Sequence, residues 1–182
     1  VTKRGLAVLA IVGAVGFVST AGVITTAAVQ GRFGNDQRAT IANCGPHHPT
    51  GTVVHVTLSD RGGGMMGGAN AMMVSLDAVP NVVGSGPITF VATNTGALNH
   101  ELVVLSAPSD GVGTRPVGND GKIDEASSLG EASRSCASGA GNGISPGATS
   151  WVTRTLAPGR YELVCDEPWH YANGMFQIFI VR

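Results

Sequence analysis

The run Leu156-Ala157-Pro158-Gly159-Arg160-Tyr161 narrows the fold more than any other short segment of the chain. A Pro-Gly turn just ahead of a tyrosine that opens an apolar run resembles the tyrosine corner of Greek-key sandwiches. In that motif the phenol hydroxyl bonds back to nearby backbone. A period of two from this point puts Tyr161, Leu163 and Cys165 on one face, directed into the sandwich. Residues 52–58, 71–76, 87–94, 100–105, 150–156, 159–165 and 175–181 read as short strands. Ile88, Phe90 and Ala92 share one face, and Leu102 and Val104 lie on the face of His100. Short strands separated by turns predict an all-β, antiparallel two-sheet sandwich. The 27 glycines suit its many turns.

Residues 107–149 break this pattern, being rich in Gly, Ser, Ala, Asp and Pro. A loop of that length is unusual in a compact domain. It reads as a lid or decoration, with a short helix over residues 124–132 and Cys136 pinning it down. Asn94-Thr95-Gly96 makes a turn, and residues 62–68 form a Gly/Met-rich flexible stretch.

A chain of 182 residues allows one domain plus tails. With 13% charged residues and a net charge of −1, it lacks the basic footprint of nucleic-acid binding. Lys3 and Arg4 precede residues 5–29, which carry no charge and are rich in Ala, Val, Gly, Ile and Leu. Two readings stand. Residues 5–18 followed by Ser19-Thr20-Ala21 suit a cleaved signal peptide. The full run is also long enough for an uncleaved transmembrane helix, which is favoured because apolar character resumes at Val23 and Ile24. Either reading places the remainder outside the cytoplasm, with Lys3 and Arg4 holding the N-terminus inside. The expected organisation is an anchor or signal over residues 1–29, a linker over 30–50 and a domain over 51–182.

Export sets the reading of the three cysteines. In an oxidising compartment two should pair and one remain. Cys165 belongs to the donor set described next, so Cys44 and Cys136 are the expected disulfide. Two free thiols are the alternative.

Cys165, four residues, His170, four residues, Met175 lie between two strand-like runs, and His100 begins another. One thiolate, two imidazoles and one thioether form the ligand inventory of a blue-copper centre, because soft thiolate and thioether donors together are expected to select copper over zinc or magnesium. His100, Cys165 and His170 are the expected strong ligands, with Met175 the weak axial one. Pro168 limits the freedom of the loop. The chemistry implied is single-electron transfer by one copper cycling between Cu(I) and Cu(II). With only five histidines and no His-Cys-His triplet, the chain lacks the extra ligands of a copper enzyme. A carrier that delivers or buffers copper outside the cytoplasm is the alternative.

Residues 89–96 (Thr-Phe-Val-Ala-Thr-Asn-Thr-Gly), residues 100–104 (His-Glu-Leu-Val-Val), and residues 161–165 (Tyr-Glu-Leu-Val-Cys) continued through His170 to Met175 together resemble the cupredoxins. The match is to their sulfocyanin/rusticyanin-like branch, which shares the Cys-x4-His-x4-Met spacing, and it covers about residues 50–182. The resemblance implies a copper-binding Greek-key β-sandwich that carries electrons between respiratory redox proteins, a donor and an acceptor. His100, Cys165, His170 and Met175 match the family's ligand positions. Glu101 departs from it, since many cupredoxins place Asn or Ser there to brace the ligand loop. The resemblance also implies electron passage through a surface-reaching His170, flanked by Trp169 and Tyr171 as an apolar docking patch. A second, Cu(I)-binding cluster drawn from Met65, Met66, Met72, Met73, His47, His48 and His55 is disfavoured, because adjacent methionines on a strand point to opposite faces. Asp60, Asp124 and Glu125 show nothing that brings them together as a hydrolytic pair.

Overall fold

The computed structural model describes residues 44–61 and 73–182. The anchor or signal segment expected over residues 1–29, most of the linker, and Met65, Met66 and Met72 lie outside the described residues. No helix among the described residues is long and apolar enough to cross a membrane.

Among the described residues nine strands form two sheets. They are β1 (Thr52–Arg61), β2 (Met73–Val79), β3 (Val82–Val83), β4 (Gly86–Asn94), β5 (Leu102–Ser106), β6 (Gly130–Ala132), β7 (Thr149–Leu156), β8 (Gly159–Val164) and β9 (Phe176–Val181). One sheet runs β2-β1-β4-β7 and the other β3-β9-β8-β5-β6. The sandwich is not purely antiparallel as expected. β1 pairs with β4 in parallel, Val54 opposite Phe90, and β3 pairs with β9 in parallel. Such pairs need a connection that crosses over instead of a hairpin, and residues between β1 and β4 make one by way of β2 and β3.

The expected inward faces are buried. Val54, Val56, Leu58, Ile88, Phe90 and Ala92 from one sheet meet Leu102, Val104, Tyr161, Leu163, Cys165 and Phe179 from the other. Phe90 and Phe179 contact edge to face across the core, with ring centroids 5.1 Å apart. Such an aromatic pair adds about 0.5–1.5 kcal/mol beyond its area. The tyrosine corner is present: the Tyr161 hydroxyl donates to Ala157 O at 2.8 Å.

The segment over residues 107–149 corrects the sequence reading. Residues 124–132 form no helix. Asp124 accepts from the Ala126 N–H, Ser128 N–H donates to Glu125 O, and residues 130–132 become the edge strand β6, Val104 opposite Gly130. The turn-forming Asp124 and Ser128, each bonding backbone N–H groups two residues on, favour turn and strand here. The segment is also more than decoration. Ile123 and Val117 cover Val103, Leu105, Val164 and Tyr171 in a second apolar cluster on the outer face of the five-stranded sheet. This explains the unbroken run Leu102-Val103-Val104-Leu105, whose strand is buried on both faces. Cys44 and Cys136 form the expected disulfide, with Cα atoms 4.8 Å apart.

Candidate metal centre

Two structural arms deliver the donors. The first starts at the end of β4, where buried Asn94 closes the turn. Its side-chain amide donates to Leu98 O and Ile144 O, both at 2.7 Å, and its Oδ1 accepts the Gly96 N–H. His100 is then held by a two-way backbone bridge to Ile144, at 3.2 and 2.6 Å. The second arm is the loop leaving β8. Cys165 N–H donates to Met175 O at 3.0 Å, and Met175 N–H donates to His170 O at 3.1 Å. These bonds close the loop on itself. A single 3₁₀ turn, Tyr171–Asn173, follows His170 and ends at Gly174 in the left-handed region, φ 91°.

His100, Cys165 and His170 are all buried, and their donor atoms lie within 4.8 Å of one another. Cys165 Sγ is 3.3 Å from His170 Nδ1 and 3.8 Å from His100 Nδ1, and the two Nδ1 atoms are 3.2 Å apart. Met175 is fully buried in the same core cluster as Cys165. Three of the four residues singled out in the sequence thus bring their donor atoms together, and Met175 is bonded through its backbone to Cys165 and His170.

Asp60, at the end of β1, was discounted in the sequence and is part of this centre. Its Oδ1 accepts from His100 Nε2 at 2.9 Å and from the Ala97 and Leu98 N–H groups. Burial alone would raise the Asp60 pKa. The bonds from Leu98, His100 and Ala97 outweigh it and hold the carboxyl below its ordinary value. An ionised carboxylate only accepts, so His100 must carry its proton on Nε2. That leaves Nδ1 as a bare lone pair facing Cys165 and His170, the orientation that a carboxylate–histidine contact imposes on a metal ligand.

Burial keeps both imidazoles neutral. The His100 pKa is lowered, and that of His170 falls to about 4, with the neighbouring His100 adding to the effect. Burial also pushes the Cys165 thiol up to about 12, against opposing N–H contacts from Glu101 and Glu167. The Glu101 N–H points at Sγ from 3.3 Å. A bound metal would displace the thiol proton to solvent and hold the sulfur as thiolate, and those N–H groups are already placed to stabilise the charge.

Residues 69–182 match the sulfocyanin (SoxE) domain. The chain belongs to the sulfocyanin family. It is thus a cupredoxin of the sulfocyanin/rusticyanin branch, a family of blue copper proteins that typically carry electrons and are not enzymes. No protein of curated function matches the chain. Among solved structures, auracyanin from Roseiflexus castenholzii is 21% identical over 74% of this chain and 99% of that one, with a TM-score of 0.46. Auracyanin A from Chloroflexus aurantiacus is 18% identical over 71% and 99%, at 0.44. Rusticyanin from Thiobacillus ferrooxidans is 20% identical over 80% and 92%, at 0.43.

One copper ion is the cofactor of this sulfocyanin domain, and the donors present fit it. Two bare imidazole nitrogens, a thiol and a thioether in a dry pocket are a soft set, unsuited to magnesium or calcium. The flanking aromatics differ from expectation. Trp169 is 51% exposed, but Tyr171 is buried, so the expected patch has one ring instead of two. The Tyr171 hydroxyl donates to Glu162 Oε1 at 3.0 Å and accepts the Arg115 N–H. His170 is 4% exposed, nearly enclosed where a surface-reaching ring was expected. Met73, His47, His48 and His55 are exposed and form no cluster among the described residues.

Proposed function

We propose that this protein is an exported, membrane-tethered electron carrier, with residues 1–29 as its anchor or signal, 30–50 as a linker and 51–182 as its copper domain. It passes single electrons between a redox-protein donor and a redox-protein acceptor of a respiratory chain. His100 Nδ1, Cys165 Sγ and His170 Nδ1 would hold the copper, with the Met175 thioether as a weaker fourth donor. The observation that carries this reading is the meeting of three buried donor atoms within 4.8 Å, from two arms fixed by backbone bonds.

Copper supplies a one-electron couple between Cu(I) and Cu(II). The chain's own contribution is to hold one geometry for both states. The Ile144 bridge and Asp60 fix His100 from two sides, and the loop bonds fix His170 and Met175 relative to Cys165. Enclosure of the donors favours a resident ion over one that is delivered or buffered, since an exchangeable site needs exposed ligands. Trp169, exposed beside His170, is the apolar surface over which a partner docks.

The test is the absorption and paramagnetic-resonance spectrum of the copper-loaded chain. An intense visible thiolate-to-copper band is expected, absent from Cys165→Ser and kept in Met175→Gln with a lowered potential. A serine variant that stays blue refutes the ligand assignment.

A further inference from the structure

Beside the copper donors lies a second group of side chains that the electron-carrier reading leaves unused. Glu101, Glu125 and Asp166 each place a carboxylate oxygen within 4.8 Å of the others. Glu101 directly follows His100, and Asp166 directly follows Cys165. Both are buried, at 6% and 1% exposure, while Glu125 is partly exposed.

Three carboxylates in a poorly hydrated place repel one another and lose water without recompense. One oxygen of Asp166 is satisfied, since Oδ1 accepts the Ile123 N–H at 2.7 Å. The other has no fixed donor: Asp166 Oδ2 and Glu101 Oε1 are buried without a hydrogen-bond partner, and the Glu125 carboxyl bonds to Asp166 only while it holds a proton. Among the described residues the Lys122 ammonium pairs with the cluster, 3.8 Å from Glu101 Oε1 and beyond hydrogen-bonding distance. One ammonium at the rim cannot balance three carboxylates once the cluster is ionised, and burial accordingly raises Glu101 to about 7 and Glu125 to about 8. Buried polar atoms of this kind call for a partner.

We propose that Glu101, Glu125 and Asp166 form a second metal site, for a hard divalent cation of the calcium class. Calcium–oxygen bonds of about 2.3–2.6 Å let one ion bridge oxygens up to about 4.8 Å apart, and six to eight oxygens complete its shell. The carboxylates supply the inner ligands, and water reaches the ion from the side of Glu125. The donors are oxygen only, whereas the copper donors are nitrogen and sulfur, so the two sites sort hard from soft ions.

The site is coupled to the copper centre through the backbone. Glu101 gives its N–H to Cys165 Sγ, and Asp166 is the next residue after Cys165. A divalent charge held there disfavours Cu(II) more than Cu(I), so its binding raises the reduction potential.

Calorimetric titration of calcium chloride into the full copper-loaded chain at pH 8 tests the proposal, with the thermal midpoint as a second readout. One saturable calcium per chain is expected, in the range of about 10⁻⁴–10⁻³ M typical of extracellular modules, accompanied by a raised midpoint. Glu125→Gln and Asp166→Asn should each weaken binding at least about tenfold, as loss of one charged ligand from a small set does. Glu125 is partly exposed, so its variant decides the matter if the Asp166 variant fails to fold. Absence of saturable binding by the unaltered chain overturns the proposal, as does unchanged affinity in the Glu125 variant. The copper spectrum is recorded in parallel. A colourless protein that takes up calcium counts against the electron-carrier reading and not against this site.

Discussion

Removing the Cys44–Cys136 bridge gives the sharpest quantitative prediction. The bridge joins residues 92 apart in sequence. In the unfolded chain that closure removes conformational entropy worth about 4.6 kcal/mol at 25 °C, from the loop-length relation for a ring of this size. For a domain of this size, each kcal/mol moves the thermal midpoint by roughly 3–4 °C, so Cys44→Ser/Cys136→Ser should melt about 15 °C lower. The copper centre itself should survive, because no described bond joins either cysteine to His100, Cys165, His170 or Met175. The blue band should therefore persist at 25 °C and vanish at the lowered midpoint. Differential scanning calorimetry of the copper-loaded full chain, with absorbance followed through the same ramp, measures both. A midpoint within about 3 °C of the parent, less than 1 kcal/mol on that scale, would refute an entropic role for the bridge. Loss of colour at 25 °C would refute its independence from the centre.

Other outcomes follow from individual contacts. Asp60→Ala removes the acceptor for His100 Nε2 and should weaken copper binding by about 10–100-fold, while raising the potential because a negative charge is lost; competition with a chelator and a redox titration check this, and unchanged affinity counts against the tautomer argument. Tyr161→Phe deletes the bond to Ala157 O and should cost about 1 kcal/mol, read from the urea midpoint. Trp169→Ala should leave the visible spectrum intact and slow electron exchange with a partner protein; a normal rate removes the docking role. For the metal-free protein the pH dependence has a definite sign. Burial raises Glu101 to about 7 and Glu125 to about 8, so the stability tied to their protonated forms is present below about 4.5 and is lost as pH rises through 7 and 8. His170 acts oppositely, its contribution being lost only as pH falls below 6.5 towards about 4. Urea midpoints should therefore fall between pH 6.5 and 8.5, and a flat or rising profile would contradict this.

What could be read in advance was whatever local spacing encodes. The period-two faces of β4 and β8, the turn before Tyr161 and the Cys-His-Met loop each depend on residues a few positions apart. The disulfide was legible by elimination among three cysteines. What depends on register between distant strands was not. Asp60 reaches His100 because β1 runs parallel to β4 and ends beside the turn that precedes the histidine, and no short-range signal encodes that. Glu101, Glu125 and Asp166 meet only once residues 107–129 have folded over β5 and β8. The continuous apolar run of β5 was the available sign of that cover, since a strand with one wet face should alternate. Tyr171 and Trp169 were indistinguishable as neighbours of His170 until the inward ring found Glu162.

Glu162, fully buried on β8, receives the Tyr171 hydroxyl, the Gly113 N–H and the Arg115 guanidinium, and Arg115 also reaches Ser106 O. The residues between Cys165 and Met175 are thereby keyed through Tyr171 to a stretch 56 positions upstream. A transplant of this hairpin alone into another sandwich would carry the donors without the lock that seats them. Swapping it successfully means moving residues 113–115 as well, so the exchangeable cassette here is a discontinuous pair of segments.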